Sequence, residues 1–163
     1  MKKLLITLTI LFAVCIFSAT ASAQDCAPIT GSQLRTMLVN MGFTVKDLNT
    51  TPGSEQIEIK NTTSGLDIYL LCEVSPSKNF VWFTALLNSD STSYQSRTKD
   101  LLKQNGIVQP AQFYITKNGS LKFGLAAENR GVTAAILRRH IDMVSNNIVK
   151  TKSFWEKKQS SAP

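Results

Sequence analysis

Acid–base chemistry by an imidazole would have to use His140, because it is the only histidine of the chain. A general base needs a partner that orients it and a pocket that holds the substrate. Asp142 stands two residues further on, a spacing that points the two side chains to different sides of a helix. The sequence also has no serine elbow, HExxH motif or glycine-rich phosphate loop. These patterns predict a helix-surface histidine and a protein that is not an enzyme; an enzyme with an unrecognised site is the alternative.

The N-terminal residues have the pattern of an export signal. Lys2 and Lys3 precede an apolar run from Leu4 to Phe17, which is followed by small residues up to Ala23. The run is shorter than the roughly 20 residues of a membrane span, and Ala21-Ser22-Ala23 fits a signal-peptidase site. We therefore predict a signal peptide over residues 1–23, cleaved after Ala23, and a periplasmic or secreted protein. An uncleaved N-terminal anchor is the alternative.

Two cysteines, Cys26 and Cys72, follow the predicted cleavage site. An oxidising compartment permits a disulfide between them, and it would close a loop of roughly fifty residues worth about 4 kcal/mol. Two buried free thiols are the alternative, because cysteine also packs as a small apolar residue. Two cysteines and one histidine are too few for a typical zinc site. We predict a disulfide and neither metal nor cofactor.

Much of the net charge of +7 lies near the C terminus. A solvated helix face explains such a cluster, and contact with an anionic membrane surface or an acidic protein is the alternative. Nucleic acid is not an expected partner of an exported protein. The cluster consists of Arg138, Arg139, Lys150, Lys152, Lys157 and Lys158.

We predict a single α+β domain over residues 24–158, followed by a flexible tail over 159–163. Thr30 and Gln33 have capping-box spacing at the start of a first helix, and Gly42 is placed to end it.

The rest of the domain alternates between strand-like and helix-like patterns. An Asn118-Gly119 pair is a strong hairpin signal, and a two-residue loop there places Tyr114 on the same face as Leu121 and Phe123. The predicted order is α-β-β-β-α-β-β-α, with helices on a five-stranded antiparallel sheet. The first predicted strand lies around Ile57 and Ile59, and Phe43–Leu48 either leads into this strand or belongs to it. The later elements are strands Leu66–Val74 and Phe80–Leu87, a helix Thr92–Gln104, strands Gln112–Lys117 and Ser120–Ala127, and a helix Thr133–Lys157.

The order of elements and the amino-acid sequence of the last third resemble the YbjN-like family, which shares its fold with type III secretion chaperones. The similar segments are Phe113–Gly119, Leu121–Leu125, and Arg130–Thr133 leading into Leu137–Arg139. The resemblance implies a secretion-chaperone-like fold. The family name is associated with sensory transduction and stress regulation, and the family offers no catalytic motif to carry over. An export signal departs from its cytoplasmic members.

The predicted central strands are apolar on both faces, whereas a half-solvated antiparallel strand alternates apolar with polar residues. Three helices cover one face of such a sheet, and the other face is then an exposed apolar patch that suits an interaction site. The alternative is that the final helix or the preceding chain covers both faces. We expect a chaperone-like module that binds a protein client or forms a homodimer through one face. The candidates, drawn from both faces, are Tyr69, Leu71, Val81, Trp82, Phe83, Phe113 and Ile115.

Overall fold

The computed structural model describes residues 27–90 and 94–156. The predicted signal peptide, Cys26, Lys157, Lys158 and the tail over 159–163 lie outside the described residues. The strands are β1 (Val45–Asn49), β2 (Gln56–Thr63), β3 (Leu66–Val74), β4 (Phe80–Asn88), β5 (Gln112–Ile115) and β6 (Leu121–Glu128). The helices are α1 (Gly31–Asn40), α2 (Thr98–Gln104, preceded by a 3₁₀ turn at Gln95–Arg97), α3 (Ala134–Lys150) and α4 (Lys152–Trp155).

The sheet has six antiparallel strands in the order β1-β2-β3-β4-β6-β5. The α+β class agrees with the prediction, but the predicted five strands and the predicted order of elements are wrong. The additional strand, β1, forms an edge and pairs with β2. Its register shifts between Asp47 and Asn49, so Leu48 falls out of the two-residue alternation that identifies a strand. The bulge explains why the apolar pattern did not reveal this strand.

The first helix begins as predicted. The Thr30 hydroxyl accepts a hydrogen bond from the Gln33 amide, and the Gln33 side chain accepts one from the Thr30 amide. This capping box satisfies two amides that a helix start would otherwise leave unpaired. Gly42 follows the C-terminal end with φ of 86°. A left-handed conformation is accessible to glycine at little cost, so the residue type fits its position.

The β5–β6 hairpin has a register one residue away from the predicted one. Thr116 N–H donates to the Ser120 carbonyl, which leaves a three-residue loop that ends at Gly119 with φ of 77°. Three-residue hairpin loops commonly place a glycine in this conformation. Phe113 therefore lies opposite Phe123. A one-residue shift moves every side chain to the other face, so Tyr114 is on the face opposite to the predicted one.

The final helical region is two helices, not the predicted single helix Thr133–Lys157. Thr133 caps α3 by accepting from the Ile136 amide, as its position suggested. At Thr151 the backbone leaves the helical conformation, and the Thr151 hydroxyl donates to the Asn147 carbonyl. Trp155 lies beyond this break and donates its indole N–H to the Ile148 carbonyl. Side-chain hydrogen bonds to the last carbonyls thus replace the continued helix.

The helices cover one face of the sheet. Helix α3 packs across β2, β3, β4 and β6, α1 packs on β1 and β3, and α2 packs on β5. The apolar stripe of α3 is buried against the sheet, as its spacing predicts. No helix in the described part of the chain combines the length and hydrophobicity required to cross a membrane. The buried stripe consists of Leu137, Ile141, Val144 and Ile148.

Candidate functional site: the open face of the sheet

The side of the sheet away from the helices is called the open face here. Antiparallel pairing places directly opposed residues on the same face, so the register identifies its members. One row of opposed residues crosses five strands from Glu58 through Leu71, Thr84 and Gly124 to Gln112. The neighbouring rows contain Gln56, Glu73, Trp82 and Ala126 on one side, and Leu86, Lys122 and Tyr114 on the other.

The open face carries large apolar side chains that no described helix covers. Tyr69 is 55% exposed, Leu86 is 59% exposed and Phe80 is 43% exposed. Trp82 and Leu71 are half-buried by their neighbours in the sheet. Exposed apolar groups that lie together, rather than scattered singly, mark an interaction surface.

A shallow depression of about 350 Å³ lies at the centre of the open face. We call it the central hollow. Its lining combines two aromatic rings with both signs of charge. Gly124 lies between Thr84 and Gln112, which both line the hollow, and a Cβ atom there would lie 2.7 Å from Thr84 Cγ2 and 2.8 Å from the Phe83 carbonyl oxygen. Glycine inside a strand often marks such a close approach. The lining residues are Glu73, Trp82, Thr84, Gln112, Tyr114 and Lys122.

The two charged groups of the central hollow differ in their partners. Glu73 accepts a hydrogen bond of 2.9 Å from the Gln56 side-chain amide. Lys122 is half-buried between Leu86 and Tyr114 and forms no hydrogen bond or ion pair with any described residue. A partly desolvated ammonium without a counter-charge favours an incoming acceptor or anion.

The phenol of Tyr114 stays protonated well into the alkaline range. Burial raises the pKa of Tyr114, a hydrogen bond with Thr84 opposes the rise, and the negative charge of Glu73 adds to it. A protonated phenol remains available as a hydrogen-bond donor in the hollow.

The charged side chains of β1, β2 and the start of β3 on the open face are paired with one another. Lys60 lies 3.2 Å from Asp67, and the Thr62 hydroxyl donates to the same carboxylate at 2.6 Å. The hydrogen bond from Thr62 is the main reason why the pKa of Asp67 is lowered. Lys46 and Glu58 form a second ion pair at 3.2 Å. These charges are paired within the chain, whereas Lys122 on β6 has no ion pair with a described residue.

The β5 edge beside the open face is covered by one side chain. Asn105, just after α2, donates to the Phe113 carbonyl at 3.1 Å and accepts from the Phe113 amide at 2.7 Å. Both outward backbone groups of Phe113 are therefore paired. Below this contact, Leu102 (62% exposed) and Ile115 (48% exposed) line an apolar groove between α2 and β5.

The seven residues proposed from the sequence as an interaction face do not form one surface. Tyr69, Leu71 and Trp82 lie on the open face. The remaining four lie on the helix side of the sheet, where Ile115 is at the exposed groove and the other three are buried: Val81, Phe83 and Phe113.

The predicted disulfide stays a prediction. Cys72 is buried in the core between the sheet and the helices, as a free thiol within the described residues. Burial raises the pKa of its thiol, so the reactive thiolate form is disfavoured. Its proposed partner, Cys26, lies outside the described residues.

The predicted basic patch is partly engaged in structural contacts. Arg138 donates to the Met41 carbonyl at 2.8 Å, and its guanidinium lies 4.3 Å from the centre of the Phe43 ring. Lys152 pairs with Glu156 at 3.3 Å. Among the described members, Arg139 and Lys150 are the exposed residues for which no ion pair is formed.

His140 lies on α3 with its ring centre 6.1 Å from that of Phe83. Its Nδ1 atom is buried and has no hydrogen-bond partner among the described residues. Burial, with a smaller contribution from Arg139, lowers the pKa of His140. Within residues 27–90 and 94–156, no group of three His, Cys, Asp or Glu side chains is placed to hold a metal ion.

No protein-family model and no curated protein matches this chain. The resemblance to the YbjN-like family therefore remains a prediction from short similar segments and the order of elements.

Sequence reasoning did not identify the central hollow. Lys122 and Gln112 join it only through the pairing of β4 with β6 and of β6 with β5, and the same pairings place Gly124 beside it. Gly124 was the available signal, because an isolated glycine within a strand pattern often marks a close approach.

Proposed function

We propose that this protein is a non-enzymatic interaction module that binds a protein surface through the open face of its sheet. The observation that carries the proposal is the apolar group around Trp82, Leu86 and Tyr69, which no described helix covers. Aromatic residues are enriched in the cores of protein interfaces, and polar residues form their rims. The ion pairs at Lys60 and Lys46 provide such a rim.

The proposal includes an exported location, which rests on the sequence of residues 1–23. An extracytoplasmic protein with an exposed apolar face requires a partner or a client, because an uncovered patch promotes nonspecific association. A chaperone-like role is consistent with this arrangement.

Binding to an anionic surface through the basic patch has less support. Arg138 is held by Met41 and Phe43, and Lys152 is held by Glu156. These contacts leave fewer basic side chains free to bind a membrane or an acidic polymer.

Site-specific photocrosslinking in the producing cell tests the proposal. A photoreactive residue replaces Leu86 on the open face, and a matched variant carries it at Lys99 on the exposed side of α2. Irradiation is expected to give a discrete protein adduct from position 86 and none from position 99. The absence of any adduct from position 86, in protein that is folded and exported, would contradict the proposal.

A further inference from the structure

Glu73 and Lys122 are the two charged residues of the central hollow, and neither forms an ion pair with a described residue. Their positions explain why they do not pair with each other. Glu73 on β3 is opposite Trp82 on β4, which is opposite Ala126 on β6. Lys122 is four residues from Ala126 along β6. At about 4.8 Å per strand and 3.3 Å per residue, their Cα atoms are roughly 16 Å apart. Both side chains together do not span that distance.

Resting on the proposed function, we propose that the partner of the open face is a second copy of this chain. The two copies meet face to face across a twofold axis near Thr84. In such an interface a residue that contacts another is contacted by it in return. The axis runs between the two sheets and parallel to them, and it crosses the line from Glu73 to Lys122 at its midpoint and at a right angle. Glu73 of each copy then faces Lys122 of the other. At about 10 Å between packed sheets, both side chains reach, and two ion pairs form.

The same axis matches the shapes of the two surfaces. At about 4.8 Å per strand and 3.3 Å per residue, it places Trp82 over the second copy's hollow, near Gln112 and the adjacent Gly124. It also places Leu86 over Leu71, so the exposed apolar groups become buried. The strands of the two sheets then cross at about 70°, nearer to the orthogonal class of sheet packing than to the aligned one.

The open face is large enough for this role. Its four central strands have eight or nine residues each. They span about 20 by 28 Å, and two such faces that cross at about 70° overlap over roughly 420 Å² in projection. Protruding side chains expose more area than the projection. A standard interface buries about 800 Å² per partner, so the proposed contact falls at the small end of specific interfaces.

Charge reversal with rescue tests the proposal. Sedimentation velocity over a concentration series gives the dimer dissociation constant of the protein recovered after export. Glu73→Lys places two lysines against each other, and Lys122→Glu places two glutamates against each other. Each single variant is expected to raise the dissociation constant at least tenfold. The double variant restores opposite charges and is expected to return to within about threefold of the original value, as reciprocal contacts require.

Lys99→Glu on α2 is the matched control for a change of charge away from the face, and it should leave the dissociation constant unchanged. Circular dichroism confirms that each variant is folded. A monomer at all concentrations overturns the second-copy proposal, as does a dimer that is insensitive to both single reversals. Crosslinks from position 86 to a different protein overturn it as well, but they support the proposed function. No crosslink of any kind contradicts both.

Discussion

Strand β4 has two apolar faces with opposite environments. Val81, Phe83 and Ala85 are buried under the helices, whereas Trp82 is half-buried and Leu86 is 59% exposed. The residue types on the two faces are similar in hydrophobicity. The difference arises because all of the packed helices approach from one side. An apolar strand pattern therefore shows that a face can be buried, but the positions of the helices determine which face is buried within the chain.

The largest effect that tests this comparison is expected from truncation on the covered face. Phe83→Ala removes a fully buried ring and should lower the free energy of unfolding by about 3–5 kcal/mol. Leu86→Ala, on the same strand but exposed, should change it by no more than about 0.5 kcal/mol. Urea unfolding at a concentration below self-association measures both. Equal losses would mean that the two faces are packed alike.

A smaller effect is expected at Gly124, a tightly packed position of the open face. Gly124→Ala places a Cβ atom 2.7 Å from Thr84 Cγ2 and 2.8 Å from the Phe83 carbonyl oxygen. Overpacking of this kind costs about 1–3 kcal/mol. Adding Thr84→Ser removes the methyl contact but leaves the carbonyl contact, so it should recover part of the loss. Unchanged unfolding of Gly124→Ala would show that this position has room for a Cβ atom.

The smallest effect is expected from the histidine behind the covered face. The folded protein lowers the pKa of His140, so the unfolded chain binds its proton more readily. Stability should therefore fall as the pH drops through the ordinary histidine range near about 6.5. His140→Leu removes this titration, and its unfolding free energy should depend less on pH between about 7.5 and 5.5 than that of the unmodified protein. An identical pH dependence in the two proteins would assign the effect to other groups.

Local patterns of the sequence predicted much of the fold. The capping box of Thr30 and Gln33 is confirmed, and so are the two long strands β3 and β4. These elements were predictable because short-range hydrogen bonds and continuous apolar runs determine them. Strand β1 was not predictable in this way, because a bulge at Leu48 interrupts its alternation.

The candidate site was less predictable than the elements. The hairpin register depends on whether Gly119 ends a three-residue loop or belongs to a two-residue one, and both are compatible with an Asn-Gly pair. That choice reverses the face of Tyr114. Which side α3 covers is likewise a property of the assembled chain. Trp82 was recognised as a candidate, but the positions of Lys122 and Gly124 on the same face depend on pairings between distant segments.

The contact between Asn105 and Phe113 limits how this protein can assemble. Unpaired backbone groups along a sheet edge allow strand after strand to be added, which yields open-ended fibrils. With one side chain occupying the amide and the carbonyl of Phe113, addition of a strand to the β5 edge is disfavoured at this position. Growth through the flat side about a twofold axis stops at two chains. Asn105 thus works in the same direction as the proposed twofold contact, because it disfavours strand addition at Phe113.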